Sequence, residues 1–349
     1  MHIVIPSHPA HSGQVAGFVA KLTALPSNRS DSFVTRRKSQ LIWAASDPEG
    51  GMIVQNTRLE LDGEALLFGG PYSNLEATEA LFAEAERLRI PPERMICTGD
   101  LAAYCADPAA TIDLIRRSGI AVVLGNCDEQ LALGADDCAC GYPEGSACER
   151  ISSAWFAYAN SQVGGDTRAW LARLPRRIDL SIGGARLAVI HGGVEQINQF
   201  VFASTSAELK RQQIATTEAD GIIAGHCGLP FTQVIGGRLW HNAGVIGMPA
   251  NDGTPRVWCS LLRPTDAGLE VLHRPLAYDH HTAAAKMRRE GACPQTMPMH
   301  SPPASGQAAM FCWPAKRRSE ARRFDRKQQS GTSNSALPPE PPFFFSRRQ

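Results

Sequence analysis

Leu67-Phe-Gly-Gly-Pro-Tyr-Ser-Asn-Leu-Glu-Ala77 is the stretch whose reading decides the fold. The apolar run Ala65 to Phe68 stops at two glycines, turns through Pro71 and enters a helical segment at Asn74. Beyond that point Leu75, Leu81, Phe82, Ala85 and Leu88 recur at the spacing of one helix face. Strand, tight turn and helix follow in that order. Open α/β sheets gather their chemistry at the carboxyl ends of strands, so the turn has the position of an active-site loop. Gly69, Gly70, Pro71 and Tyr72 bring almost no ionisable chemistry to it. Position and residue types disagree.

The same alternation continues downstream. Arg94 to Thr98 reads as a strand ending in Gly99-Asp100. Pro108 sits where a helix opens, and Ile112 with Ile115 gives that helix an apolar side. Ala121 to Leu124 is a third strand, ending in Gly125-Asn126-Cys127-Asp128. Strand-helix-strand-helix-strand at these lengths implies parallel pairing with right-handed crossovers. Helices are expected at Ile151 to Tyr158 and Thr167 to Leu174, and strands at Arg177 to Ile182, Arg186 to His191 and Gly221 to Ala224. Phe231 to Ile235, Arg238 to Ala243, Val257 to Leu262 and Leu269 to His273 are more hairpin-like, with Gly236-Gly237 as the turn between the first two. Residues 56–290 therefore read as an α/β domain with parallel and antiparallel parts.

Composition bounds the rest. With 349 residues, 43% of them hydrophobic, a sizeable core is available. A net charge of +1 points to no polyanionic partner. No run of about 18 apolar residues is present, so no membrane span is expected. The start of the chain lacks a basic segment followed by an apolar one, and so does not read as a secretory signal. Ten cysteines are many, but they are not spaced as a small disulfide scaffold. Reduced thiols in the cytoplasm are the expectation.

The flanks differ from the middle. Residues 1–55 hold His2, His8 and His11 among Pro and Ser, and a basic patch at Arg36, Arg37 and Lys38. Ile3 to Ile5 reads as a short strand and Val15 to Leu25 as a short helix within a poorly structured extension. The histidine spacing matches no metal-ligand pattern. Residues 291–349 are rich in Pro, Ser, Gln and Arg and show no apolar period. From Lys316 onward nine Lys or Arg face three Asp or Glu, leaving a net charge of −5 for the rest of the chain. Such a tail buries too little apolar surface to offset its ordering entropy and is expected to be disordered and solvated. Any contact with nucleic acid would run through it.

Four segments end apolar runs with residues able to bind metal: Gly99-Asp100, Gly125-Asn126-Cys127-Asp128, His191-Gly192-Gly193 and Gly225-His226-Cys227-Gly228. Strands packed side by side would bring one Asp, one Asn and two His to one volume. That mixture of oxygen and imidazole donors suits a borderline divalent metal such as Mn, Zn or Fe. A glycine beside each ligand lets the loop backbone approach an ion closely.

From about residue 62 to 260 the chain resembles the calcineurin-like metallophosphoesterases in their compact bacterial form. The pattern of that family is Asp-x-His, Gly-Asp, Gly-Asn-His-Asp/Glu, a lone His and Gly-His-x-His, in that order. Asn74-Leu75-Glu76-Ala77, then Tyr104, Asp107 and Pro108 after Gly99-Asp100, and Asn242-Ala-Gly-Val-Ile-Gly-Met-Pro249 followed by Asp252-Gly253 extend the similarity. The resemblance implies a four-layer α/β/β/α sandwich with mixed sheets and a dinuclear metal centre at the strand ends. It makes Asp100 the bridging carboxylate, with Asn126, His191 and His226 as the remaining ligands of one metal. The three ligands of the other metal fall on Gly70, Tyr72 and Gly228, and none of them can serve. Cys127 stands where the family carries a histidine that assists at the phosphate.

These departures shape the functional expectation. The chain is expected to be a metal-dependent phosphoester hydrolase with a reduced, mononuclear site acting on a small phosphorylated substrate. Asp100, Asn126, Tyr72 and Cys127 are its catalytic candidates, and Asp100, Asn126, His191 and His226 its metal ligands. The alternative is a catalytically inactive relative that binds a metal or a phosphate-containing ligand. Tyr72 either donates a hydrogen bond to phosphate or plugs the vacated pocket. Cys127 and Cys227 either complete a softer coordination sphere or line the pocket. His241, before Asn242, is a further candidate to face the site. Cys138-Ala-Cys140 and Cys148 lie in the Gly-rich loop between Leu133 and Ile151. That loop reads as an active-site lid with no disulfide, or as a zinc site completed by Cys105 or Cys127.

Overall fold

The computed structural model describes residues 3–5, 56–142, 144–250 and 252–290. In chain order the elements are β1 (Ile3–Ile5), β2 (Asn56–Leu61), β3 (Ala65–Phe68), α1 (Leu75–Arg87), β4 (Met95–Cys97), α2 (Pro108–Ser118), β5 (Ala121–Val122), α3 (Asn126–Leu133), α4 (Ala147–Gln162) and α5 (Gly165–Leu171). They continue as β6 (Arg177–Ile182), β7 (Ala185–Ile190), α6 (Ala207–Thr216), β8 (Gly221–Ala224), β9 (Phe231–Ile235), β10 (Arg238–Asn242), β11 (Val257–Thr265), β12 (Gly268–Leu276) and α7 (His280–Arg289).

The strands make two six-stranded sheets, ordered β1-β12-β11-β3-β4-β5 and β2-β6-β7-β8-β10-β9. In the first sheet β3, β4 and β5 run parallel, and β11 joins β3 antiparallel. In the second, β7, β8 and β10 run parallel, while β6 joins β7 and β9 joins β10 antiparallel. Both sheets are mixed.

The period of two along each strand sorts the side chains into layers. In β3, Ala65 and Leu67 point between the sheets, where they meet Ile178, Leu180, Val189, Ile223 and Leu239 of the other sheet. Leu66 and Phe68 point the opposite way, into a core shared with Leu81, Ile112, Ile115, Trp155 and Phe156 from the helices. On the far face of the second sheet, Ala188, Ile190, Ile222 and Trp240 pack against Ile214 of α6. Every residue of β3 is buried, which explains why that strand reads as a continuous apolar run rather than an alternating one. The result is the expected α/β/β/α sandwich.

Elements that sequence patterning misses are the short or weakly amphipathic ones. β4 starts at Met95 because Pro92–Arg94 forms a single 3₁₀ turn before it. α3 begins at Asn126 itself, so this ligand candidate opens a helix and does not end a strand. α4 runs for 16 residues from a Ser146 cap, well beyond the expected Ile151 to Tyr158. α6 carries no clear period. Ile3–Ile5 pairs antiparallel with β12 as an edge strand. The Val15 to Leu25 helix, the three N-terminal histidines and the basic tail lie outside the described residues. No helix among the described residues is long and apolar enough to cross a membrane.

Asn74 fixes how the opening turn meets α1. Its Oδ1 accepts the Ala77 N–H at 3.0 Å as an N-cap, and its Nδ2 donates to the Gly247 carbonyl at 3.0 Å. The residue is buried, so both bonds lack competition from water. Replacing Asn74 by Ala removes a cap and leaves the Gly247 carbonyl without that donor. We expect Asn74→Ala to lower unfolding stability by about 1–3 kcal/mol, read from urea denaturation. A loss within a few tenths would show that the cap and its tie do not hold the turn.

Candidate metal centre

Two parallel strand pairs, one from each sheet, end on the same rim. β4 delivers Gly99-Asp100, and the turn after β5 delivers Gly125-Asn126 at the first turn of α3. β7 delivers His191, and β8 delivers Gly225-His226. Asp100 has φ +62° and His226 φ +37°, left-handed values that L residues adopt at a cost. The Asp100 turn is held by a neighbour. The Asp128 carboxylate accepts N–H groups from Asp100 at 2.8 Å, Leu101 at 2.8 Å and Gly125 at 3.0 Å. A side chain at position 125 would collide with the Asp100 backbone nitrogen and its Oδ1, so glycine there is a packing requirement.

The donors converge on one ring nitrogen. His191 Nδ1 lies 2.6 Å from the Thr98 carbonyl, which can only accept, so Nδ1 carries the proton. Its Nε2 faces Asp100 Oδ2 at 3.3 Å, Asn126 Oδ1 at 3.1 Å and His226 Nδ1 at 3.1 Å. The Asn126 amide is oriented by its other end, where Nδ2 donates to the Cys138 carbonyl at 2.8 Å. Carboxylate, amide oxygen and two imidazoles therefore aim at one buried point. Lone pairs gathered away from water need a shared cation.

The spacing suits a metal ion. Metal–ligand bonds of about 2.1 Å, at angles between octahedral and tetrahedral, set ligand atoms about 3.0–3.4 Å apart. The three separations from His191 Nε2, 3.1–3.3 Å, fall within that range, and ligand atoms of Asp100, His191 and His226 all lie within 4.8 Å of one another. Asp100, His191 and His226 form a group able to hold an ion, and Asn126 supplies a neutral oxygen beside it. These residues fit a divalent cation.

The local charges show a proton competing for the same lone pairs. Burial alone would depress His191, but the Asp100 carboxylate and its hydrogen bond hold the imidazole above its ordinary value. Burial would raise Asp100, yet the charges of His191 and His226 outweigh it and keep the carboxyl below the usual range. Asp128 carries the opposite burden. Burial, with Asp100 beside it, pushes its carboxyl up to about 6.

Aromatic packing fills the space around Gly70 and Tyr72. The Tyr72 ring lies over Gly70 so closely that any side chain at position 70 would strike it. The ring meets Tyr104 edge-on at 5.1 Å, and burial raises the phenol well above its ordinary value, so it stays neutral. Tyr72, Tyr104, Tyr142, Phe200 and Gly228 border a small pocket beside His226. Tyr72 thus both occupies the space over Gly70 and lines that pocket. Phe200 was not singled out by the sequence, and its ring lies 4.3 Å from that of His226. Its only signal is the nearby Phe202, on which it stacks.

Three cysteine and histidine expectations need correction or narrowing. His241 lies against Thr232 at 2.9 Å and stacks on His273, away from the ligand group. Its strand register aims it between the sheets instead of at the rim. Cys138 and Cys140 form a disulfide, against the expectation of reduced thiols. Two residues two apart on a tight loop bring their sulfurs together whatever the compartment. Cys105 stands 3.6 Å from the Gly247 carbonyl, whereas Cys127 lies 4.0 Å from Cys140. Cys127 also donates its backbone N–H to Asp100 Oδ1 at 3.0 Å. Cys227 receives the Asn242 amide at 3.2 Å.

A two-sheet sandwich with oxygen and imidazole donors at its strand ends defines a metallophosphoesterase-type protein. Residues 73–262 match the model of the calcineurin-like phosphoesterase superfamily domain, and the chain belongs to that family. The match opens at Ser73, directly after Gly-Gly-Pro-Tyr. Among solved structures, a metallophosphoesterase from Sphaerobacter thermophilus is similar with 21% identity and a TM-score of 0.50, covering 66% of this chain and 95% of that one. A hypothetical protein from Pyrococcus horikoshii OT3 is similar with 15% identity and a TM-score of 0.54, covering 66% and 94%. Both likenesses concern the fold. No curated protein matches the chain. Members of the family typically use divalent metals.

Two outcomes test the ligand group. His226→Ala is expected to lose bound Mn or Zn after gel filtration, read by elemental mass spectrometry with the disulfide intact; unchanged retention would remove His226 from the site. The second concerns pH. A value raised on folding contributes stability that is full below the ordinary value near 6.5 and is lost as pH rises through the folded value. A metal displaces that proton, so Mn should raise the melting temperature more at about pH 8 than at about pH 6. An equal shift at both would contradict the shared lone pairs.

Proposed function

We propose that the chain is a metal-dependent phosphoester hydrolase that works with one ion at this centre. The ion is Mn, Zn or Fe, and the substrate is a small phosphorylated molecule in the cytoplasm. The observation that carries the reading is the convergence of Asp100, Asn126 and His226 on His191 Nε2. Mixed oxygen and nitrogen donors of this kind suit those borderline metals. A single ion is favoured because Gly70 and Gly228 offer no ligand and the Tyr72 ring closes the space over Gly70.

When bound, a divalent cation supplies Lewis acidity toward a phosphoryl oxygen and makes a bound water more acidic. The chain's own residues set the conditions for this. Asp100 is held as a carboxylate by His191 and His226, and Asp128 fixes the turn from which it projects. Asn126 keeps its oxygen toward the centre because its nitrogen is tied to Cys138. Tyr72, neutral and bordering the pocket, donates a hydrogen bond to phosphate. Burial pushes the Cys127 thiol up, so it offers a protonated sulfur where the family carries histidine.

The packing of Tyr72 over Gly70 also favours a second reading, in which the chain keeps its ion and binds a phosphate-containing ligand without turnover. One experiment separates them. Purified protein with its disulfide formed is assayed on para-nitrophenyl phosphate and bis(para-nitrophenyl) phosphate with added Mn, Zn or Fe, alongside metal analysis. We expect about one ion per chain and a hydrolysis rate that Asp100→Asn lowers by about 100-fold or more. Bound metal without turnover supports the binding role. Two ions in the oxidised protein would refute the single-ion centre, and neither metal nor turnover would sink both readings.

A further inference from the structure

We propose a second, softer metal site made by the sulfurs of Cys127, Cys138 and Cys140 once the Cys138–Cys140 disulfide is reduced. The cation it fits is a thiolate-binding one such as Zn²⁺ or Cu⁺. The proposal concerns residues outside the Asp100 ligand group and does not rest on hydrolase activity.

Three sulfurs from two parts of the chain meet at one place. Cys127 lies in the first turn of α3, and Cys138 and Cys140 come from the loop after it. Cys127 Sγ stands 4.0 Å from Cys140 Sγ without a bond between them. Two thiolates on one tetrahedral zinc, each bonded at about 2.3 Å, stand about 3.8 Å apart. That pair is already at coordination spacing. Cys138 Sγ is bonded to Cys140 Sγ, so opening that bond leaves a third sulfur beside the same point.

The surroundings enclose the three sulfurs. All three cysteines are buried in the helix-side core with Leu131 and Trp155, so the site is closed, as structural zinc sites are. Asn126 Nδ2 points at the sulfurs, 3.5 Å from Cys127 Sγ and 3.7 Å from Cys140 Sγ. An amide donor aimed at two sulfurs fixes their orientation. The loop is also held from outside, since Asn198 Nδ2 donates to the Ala139 carbonyl at 2.9 Å. The Cys-x-Cys turn itself uses left-handed backbone at Ala139, with φ +47°. Held there, the loop keeps both of its sulfurs beside Cys127.

The chemistry balances with one named co-reactant. A dithiol reductant gives two electrons and two protons to the Cys138–Cys140 bond and becomes a disulfide itself. The S–S bond breaks and two S–H bonds form. Binding of the cation then releases the thiol protons to solvent as sulfur–metal bonds form. Oxidation by a disulfide reverses the first step and expels the ion.

The test uses the full chain and Co²⁺ as the probe. Protein is reduced with a dithiol under nitrogen, freed of reductant, loaded with Co²⁺ and compared with oxidised protein treated alike. We expect a near-ultraviolet sulfur-to-cobalt absorption band in the reduced protein only, with about one more ion per chain than in the oxidised protein. The band should persist in His226→Ala, which disturbs the other centre, and vanish in Cys140→Ser with an unchanged far-ultraviolet circular dichroism spectrum. If Cys140→Ser does not fold, loss of the band from wild type on re-oxidation carries the same weight. No band in the reduced wild type, an equal band in the oxidised protein, or survival in Cys140→Ser would overturn the site. Loss of the other ion in His226→Ala with the band intact would leave the two centres separately established.

Discussion

Lone pairs directed at a single buried point are the constraint on which this structure depends. His191 spends its Nδ1 proton on the Thr98 carbonyl, so its Nε2 must share space with a carboxylate, an amide oxygen and a second imidazole. No packing of apolar groups can relieve that arrangement; only positive charge can. The fold supplies what is needed to hold it. β4 and β7 belong to different sheets, so the face-to-face stacking of the sheets is what brings Asp100 and His191 within reach. The core between the sheets, filled by residues such as Leu67, Ile96, Val189 and Ile223, therefore sets the geometry at the rim. Left-handed backbone at Asp100 and His226 is sustained by this support, with Asp128 accepting three N–H groups around the first of them.

On one side of this group Gly70 and Tyr72 pack as a unit, because the Tyr72 ring occupies the space that a side chain at position 70 would need. Gly70 also has φ +35°, a conformation that already favours glycine. Tyr72 then meets Tyr104, and Tyr104 packs on Trp155, so this packing extends into the helix-side core. Tyr72, Tyr104, Tyr142 and Phe200 give the pocket beside His226 an aromatic wall.

Much of the fold was legible because α1, α2 and β6 follow simple periods, while β3 and β8 are short, continuous apolar runs. The parity of Ala65 and Leu67 against Leu66 and Phe68 is readable as burial but not as direction, since both faces of the strand are covered. α3 escaped because Asn-Cys-Asp-Glu gives no amphipathic signal; its register is set by the Asp128 carboxylate returning to Gly125 N. Asp100, Asn126, His191 and His226 could be named from strand ends, and the structure places them together. His241 sat in a similar sequence context and lies elsewhere, because a one-residue step along β10 reverses the face on which a side chain emerges. Phe200 and the Cys138–Cys140 bond depend on loop paths that no local period encodes.

Asn126 joins the Asp100 group to the cysteine cluster. Its oxygen faces His191, and its nitrogen faces the Cys138 carbonyl and the sulfurs of Cys127 and Cys140. An amide has one oxygen and one NH₂ in a plane, so fixing either end fixes the other. The disulfide loop therefore determines which atom Asn126 offers to the ligand group, even though no sulfur of the loop belongs to that group. Were the loop to move away, the amide could turn its NH₂ toward His191 and bring a donor where the centre needs an acceptor. The cysteine-rich loop and the candidate metal centre are thus mechanically coupled through one side chain. That coupling gives the loop a role that covering a pocket would not require: it sets which atom of Asn126 faces His191.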